Sequence, residues 1–182
     1  MREDLQELLF SAEQIQMRVQ EMAGQIALDY KGKNPIAVCV LKGAVLFMAD
    51  LMRYMDIPLE IDFIAISSYG ASTQSSGVVR ILKDLDRSIE DRHVLIIEDI
   101  VDSGLTLSYL RDSLLHRHAR SVRIATAFDK PDGRTVDIVP DYSGFTVPDR
   151  FIVGYGLDYA EKYRNLPYVG VLKPSVYEKD KH

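Results

Sequence analysis

Val94-Leu95-Ile96-Ile97-Glu98-Asp99-Ile100-Val101-Asp102-Ser103-Gly104-Leu105-Thr106-Leu107 organises the reading of this 182-residue chain. Val94 to Ile97 are all β-branched or leucine, which predicts a strand buried on both faces. Glu98 and Asp99 follow at its carboxyl end. Asp102 to Thr106 then form a small, glycine-containing turn, and Leu107, Leu110 and Leu114 recur at the spacing of one helix face. Ligands of open α/β sheets bind outside the carboxyl ends of strands. A glycine-containing loop at a helix N-terminus offers backbone N–H groups and positive potential to a phosphate. Two acids beside a phosphate cradle suit a ligand that also carries hydroxyls and a magnesium ion, as a sugar phosphate does. A polar turn and an N-capped helix alone would be ordinary turn chemistry. A Walker A loop is excluded, because no G-x-x-x-x-G-K-S/T string occurs.

Outward from that stretch, strand and helix alternate. Ser11 and Gln14 have capping-box spacing, Phe10 and Ile15 flank them as a staple, and Ile15, Val19, Met22 and Ile26 continue a helix to Lys31-Gly32. Ile36 to Leu41 is apolar on both faces and predicts a central strand; Ala44 to Tyr54 reads as a helix. Leu59, Ile61 and Phe63 alternate with Glu60 and Asp62, which predicts a half-exposed strand with the acids outside. Residues 71–77 are small and polar, a loop of the kind that also serves as a lid. Val78 to Leu82 returns as a hairpin arm. Val122 to Phe128 is a further strand topped by Asp129-Lys130, residues 137–148 are a connection with edge-strand character, and Val169 to Leu172 is a last strand. The tail from Lys179 to His182 reads as frayed. The expected fold is one α/β domain with a mostly parallel central sheet flanked by helices.

Hydrophobic residues make up 47% and charged residues 27% of the chain, an ordinary globular composition. A net charge of −5 gives no footprint for nucleic acid or an anionic membrane. No apolar run approaches the ~20 residues needed to cross a bilayer, and no signal peptide is indicated, so the expected location is cytoplasmic. Cys39, the single cysteine, lies in an apolar run and reads as core. His116 and His118 close the helix after the central motif without other ligands at metal spacing, and read as solvent-facing.

Four strand ends carry distinctive strings: Leu41-Lys42-Gly43, Glu98 to Thr106 as E-D-x-x-D-S/T-G-x-T, Phe128-Asp129-Lys130-Pro131, and Phe151 to Leu166 as F-I/V-V-G-Y-G/A-L-D-Y-x-E-x-Y/F-R-x-L. Together they resemble the hypoxanthine–guanine branch of the purine phosphoribosyltransferases, in its shorter bacterial form. The resemblance covers Leu41 to Leu166 and departs modestly at Asp132-Gly133-Arg134, where many relatives are more basic. It implies a core from about residue 11 to 150 and a small hood from about 1–10 and 151–182. It further implies transfer of a phosphoribosyl group from phosphoribosyl pyrophosphate (PRPP) to a 6-oxopurine, with Mg2+ as cofactor. The partners would be PRPP, the base and further copies of the chain, as a homodimer or homotetramer.

Each site residue carries an implied role. Asp102, Ser103, Gly104, Leu105 and Thr106 would hold the 5′-phosphate, with Asp102 also the general base toward N7 of the purine. Glu98 and Asp99 would take the ribose hydroxyls and magnesium, with Asp158 at a second metal position. Leu41, Lys42 and Gly43, joined in this family by a frequently cis Leu-Lys peptide, and Arg164 would bind pyrophosphate. Ser68 and Tyr69 would close a lid. Lys130 would address O6 of the base, Phe151 would stack on it, and Ile152 would bond its edge through the backbone. Two rivals stand beside this reading. A non-catalytic PRPP-sensing regulator would need a DNA-binding domain or a basic RNA surface. An enzyme for xanthine or for guanine alone would use the same scaffold.

Overall fold

The structure is a computed structural model and describes residues 1–68 and 79–178. In chain order the strands and helices are β1 (Leu5–Phe10), α1 (Ala12–Asp29), β2 (Ile36–Leu41), α2 (Val45–Arg53), β3 (Glu60–Ser68), β4 (Val79–Lys83), β5 (His93–Val101), α3 (Leu105–His116), β6 (Ser121–Asp129), β7 (Tyr142–Thr146), β8 (Ile152–Val153), β9 (Val169–Leu172) and α4 (Pro174–Tyr177). Six strands form one sheet in the order β4-β3-β2-β5-β6-β7. Its pairings are parallel except that of β3 with β4. The carboxyl ends of β2, β5 and β6 therefore open on one edge.

Both faces of this sheet are covered, which is why its central strands are apolar throughout. Ala37, Cys39, Leu95, Ile97, Ala125 and Ala127 point to one side, against Ile15, Val19, Met22 and Ile26 of α1 and Phe47, Met48 and Leu51 of α2. Val38, Val40, Val94, Ile96 and Ile124 point to the other, against Leu107, Leu110 and Leu114 of α3. The expected capping box of α1 forms in both directions, Ser11 with Gln14.

Two expectations need correction. The run Val94 to Ile97 is only the first part of β5, which continues to Val101 and takes Glu98 and Asp99 into the strand, with Glu98 opposite Thr126 and Ile100 opposite Phe128 of β6. On its other side the pairing with β2 stops at Cys39 opposite Ile97. The two acids thus stand just past the point where pairing with β2 stops, although β2 itself continues to Leu41 alongside β3. In β3 the inside and outside are reversed at one point. Ile61 is 47% exposed while Asp62 is 7% exposed. Asp62 is retained inside because its carboxylate is satisfied: Oδ1 accepts from Phe63 N at 2.7 Å and Oδ2 from Asp86 N at 2.9 Å.

A second, three-stranded antiparallel sheet has the order β1-β9-β8. Its own small cluster joins Val153, Tyr163, Leu166 and Leu172. It is built from the first ten residues and those after Phe151, the segments expected to form a hood. Strand β1 carries no clean alternation and was not anticipated as a strand; β9 supplies its hydrogen-bonding partner. Residues Tyr69, 71–77 and 179–182, read above as lid, loop and tail, lie outside the described residues.

Candidate active site

At the end of β2 the Leu41–Lys42 peptide is cis. The chain then turns so closely past β5 that a Cβ on Gly43 would stand 1.6 Å from Asp99 Oδ2. From the far side, a Cβ on Gly156 would stand 2.0 Å from the Gly43 carbonyl oxygen. Gly43 is thus clasped between the acidic strand and the C-terminal segment, and both contacts require the missing side chain.

Glu98 and Asp99 are neighbours in β5, past its last pair with β2. Burial pushes the Glu98 carboxyl well above its ordinary value, and the neighbouring Asp99 charge adds to it. Burial raises Asp99 as well, against hydrogen bonds from Glu98 and the Ile100 amide and the charge of Arg164. The same two carboxylates, after burial, push the Cys39 thiol up to about 12, so this cysteine is an inert core residue.

Beyond β5, Gly104 adopts φ +81 as the N-cap of α3. Glu98, Asp102, Ser103, Gly104, Thr106 and Leu107 line a concavity of about 210 Å3 against the helix start. The first amides of a helix have no intrahelical acceptor. The Leu105 amide makes only a long, 3.4 Å contact with Ser103 Oγ. The loop is braced from outside by Arg134, whose Nε donates to the Asp102 carbonyl at 3.0 Å and whose guanidinium also pairs with Asp129. The departure at Asp132-Gly133-Arg134 therefore falls on a short 3-10 turn, Pro131–Gly133, and the Arg134 that caps it, and Gly133 passes so near Asp102 that a Cβ would lie 2.0 Å from Oδ1.

Lys130, at the end of β6, is 12% exposed at its side chain and lies between two carboxylates, Asp102 Oδ2 at 2.9 Å and Asp149 Oδ1 at 3.0 Å. Burial works to lower its pKa, but the hydrogen bonds it donates to Asp102 and Asp149 outweigh burial and hold it above the ordinary value. Asp99, Ile100, Asp102, Lys130, Phe151, Ile152, Leu157 and Asp158 surround one cavity of about 260 Å3. Phe151 is 41% exposed and stacks on Tyr177 at 5.2 Å, which fixes its ring while leaving a face to the cavity.

The remaining wall is residues 154–166, folded back on itself by bonds from Gly154 N to Leu157 O, Gly156 N to Arg164 O and Tyr155 N to Leu166 O. Tyr155 is buried and donates from its hydroxyl to Asp50 Oδ2 at 2.9 Å, which ties this wall to α2. Arg164 reaches Asp158 Oδ1 at 2.9 Å and donates to the Gly156 carbonyl at 2.8 Å.

A model of the phosphoribosyl transferase domain matches residues 6–160. The chain belongs to the phosphoribosyltransferase family. Among its relatives, the hypoxanthine-guanine phosphoribosyltransferase of Bacillus subtilis is 57% identical over 178 residues, 98% of this chain and 99% of that one. The protein of the same name from Streptococcus thermophilus is 58% identical over 179 residues, again 98% and 99% of the two chains. The crystal structure of a hypoxanthine phosphoribosyltransferase from Staphylococcus aureus superposes with a TM-score of 0.95 at 49% identity, covering 97% of this chain and 96% of that one.

Most residues singled out in the sequence converge on one region of this phosphoribosyltransferase. Asp102 belongs to both the loop concavity and the larger cavity, and joins them. Glu98 lines the loop concavity, whereas Asp99 and Asp158 line the larger cavity. The three carboxylates expected at magnesium are not gathered into one cage: among the described residues no group of three or more His, Cys, Asp or Glu side chains is arranged to hold a metal. Ser68 ends β3 opposite Val79, and its proposed partner Tyr69 is beyond the described residues. Sequence reading missed Ile100, which shares the cavity with Phe151, and Asp149, the second partner of Lys130. Ile100 could have been found as the apolar residue between two acids of the motif; Asp149 left no signal, since its role depends on where β6 ends.

Proposed function

We propose that this phosphoribosyltransferase transfers the 5-phosphoribosyl group of PRPP to N9 of hypoxanthine or guanine, giving IMP or GMP and pyrophosphate. One observation carries the assignment: the Lys130 ammonium and the Asp102 carboxylate, in contact at 2.9 Å, line one cavity with Phe151, and that cavity shares Ile100 and Asp102 with the concavity of the phosphate-type loop. A flat base on Phe151 presents its O6 and N7 edge to a donor and an acceptor placed side by side. The 5′-phosphate then falls to the amides of Asp102 to Thr106 and the Ser103 and Thr106 hydroxyls, and the ribose hydroxyls fall to Glu98 and Asp99.

The donor set fits a magnesium ion. Asp99 and Asp158 offer only hard oxygen ligands to one cavity, and magnesium is ordinarily held by one or two carboxylates with substrate phosphates and water supplying the rest. When bound, the ion neutralises charge on the departing pyrophosphate. Lys42, Gly43 and Arg164 hold that group from the protein side. As the bond from C1 to pyrophosphate breaks, the carboxylates of Glu98 and Asp99 stand beside the positive charge growing on the ribose. The purine N9 forms the new bond to C1. Asp102 receives the N7 proton, which requires Lys130 to turn from Asp102 to O6; Asp149 keeps the ammonium paired during the exchange. Ile152 addresses the far edge of the base through its backbone, and Ser68 with Tyr69 covers the site. A cytoplasmic location and assembly as a homodimer or homotetramer belong to the same proposal.

The test is direct. Purified protein is incubated with PRPP and magnesium, each purine is offered separately, and the nucleotide formed is identified. Hypoxanthine and guanine are expected to yield IMP and GMP, and excess chelator is expected to abolish transfer. Formation of no nucleotide from any purine would leave a PRPP-binding protein without catalysis.

A further inference from the structure

The two cations assigned above to pyrophosphate already share an anion, and it belongs to the chain itself. Lys42 Nζ stands 3.0 Å from Glu161 Oε2, and Arg164 Nη2, whose closer partner is Asp158 Oδ1 at 2.9 Å, stands 3.5 Å from Glu161 Oε1. Lys42 comes from the end of β2 and Arg164 from the folded-back C-terminal segment. One carboxylate thus spans both, with one oxygen toward each, in the manner of a bridging phosphate oxygen pair. The backbone is bent to place it there: Ala160 and Glu161 are successive non-glycine residues at φ +50 and +62. The Glu161 amide in turn donates to Asp158 Oδ2 at 2.9 Å. Arg164 still has an unsatisfied donor, since its buried Nε finds no partner among the described residues. Lys42, Arg164 and the intervening carboxylate are therefore set up for an acceptor richer than Glu161.

We propose that Glu161 is a resident competitor for the diphosphate subsite. It occupies Lys42 and Arg164 while the site is empty, is displaced by the diphosphate of the incoming sugar, and returns as pyrophosphate leaves. The proposal rests on the reading of Lys42 and Arg164 as diphosphate ligands. The Lys42–Glu161 pair is well exposed, with side chains 68% and 65% accessible, so its displacement costs little. A more highly charged ligand with several acceptor oxygens takes the two cations readily, yet the carboxylate weakens its apparent affinity and shortens its stay.

Glu161→Gln keeps the size of the side chain and removes the charge. Calorimetric titration with magnesium pyrophosphate should show the variant binding about 3–5-fold more tightly than wild type, the scale set by exposed ion pairs. KM for PRPP should fall by a similar factor, kcat should not rise, and KM for hypoxanthine should stay within twofold, because Lys130 and Phe151 are untouched. Glu161→Asp, which keeps the charge on a shorter stem, should fall between the two. A purely structural role would weaken every ligand together and lower the melting temperature. If the wild-type enzyme makes nucleotide but Glu161→Gln binds magnesium pyrophosphate no more tightly, the proposal is overturned while the transfer reaction stands. If wild-type protein neither binds magnesium pyrophosphate nor transfers, the assignment of the subsite falls first and this proposal with it.

Discussion

The wall of the candidate site built on β2, β5 and β6 and the wall built on residues 151–166 carry similar chemistry on very different backbones. On the first wall, Glu98, Asp99 and Lys130 stand at or near the ends of nine-residue strands locked into a parallel ladder. On the second, β8 is two residues long, and Phe151, Asp158 and Arg164 hang on turns and isolated bridges. Four non-glycine residues there, Tyr155, Ala160, Glu161 and Tyr163, have positive φ. The first wall is positioned by continuous secondary structure and holds the groups proposed above to act on the sugar and, through Lys130, on O6 of the base. The second is positioned by particular tertiary bonds, such as Tyr155 to Asp50, and holds the groups proposed to contact the base and the leaving group. Groups that must stabilise a transient charge gain from rigidity; groups that must admit and release ligands gain from a backbone with fewer ladder bonds.

The largest expected effect tests the meeting point of the two walls, where Lys130 faces Phe151. An ammonium offers only donors, so adenine, with an amino group at C6, should be rejected relative to hypoxanthine by ~10⁴ or more in kcat/KM. Lys130→Gln can turn an acceptor to the base and should narrow that gap while reducing turnover of hypoxanthine. Comparable rates on both bases by wild type would remove Lys130 from base selection.

Next comes the first wall alone. Asp102→Asn preserves shape and removes the proton acceptor, so kcat should fall by roughly 10²–10⁴-fold. Its side chain is 52% accessible, so thermal unfolding should scarcely move. Near wild-type turnover in a steady-state assay would show that another group takes the proton.

Two glycines at the contact between the walls separate strain from chemistry. Gly156→Ala would press a Cβ against the Gly43 backbone at φ +99, and should cost about 2–4 kcal/mol in denaturant unfolding. Gly43→Ala would meet chiefly the Asp99 carboxylate, so it should reduce transfer by about 10–10²-fold with a smaller loss of stability. If both variants lose stability alike and activity alike, the walls form one rigid unit and the contrast drawn above fails.

The smallest effect is a control far from either wall. Ser11→Ala removes one half of the capping box of α1 and should cost ~1 kcal/mol without altering KM for either substrate.

Local pattern was sufficient to find β2, β5 and β6, which are apolar where both faces of the sheet are covered, and α1 and α3, which each show one apolar stripe. It also marked the Glu98 to Thr106 loop, whose functional groups are neighbours in sequence. It misjudged Ile61 and Asp62, since a carboxylate can be buried when amides from another loop, here Asp86, satisfy it. It stopped β5 at the acids, because hydrophobicity ends at Ile97 although pairing with β6 continues to Val101.

What the sequence by itself determined is the order of the central strands and helices along the chain and the chemical types placed toward the carboxyl ends of those strands. The tertiary structure alone decided which of those groups meet: Lys130 between Asp102 and Asp149, Gly43 between Asp99 and Gly156, and Glu161 across Lys42 and Arg164. Apart from Glu161 with Arg164, three residues away, these contacts join segments far apart in the chain, where the identity of one partner places almost no constraint on the other until packing brings them together.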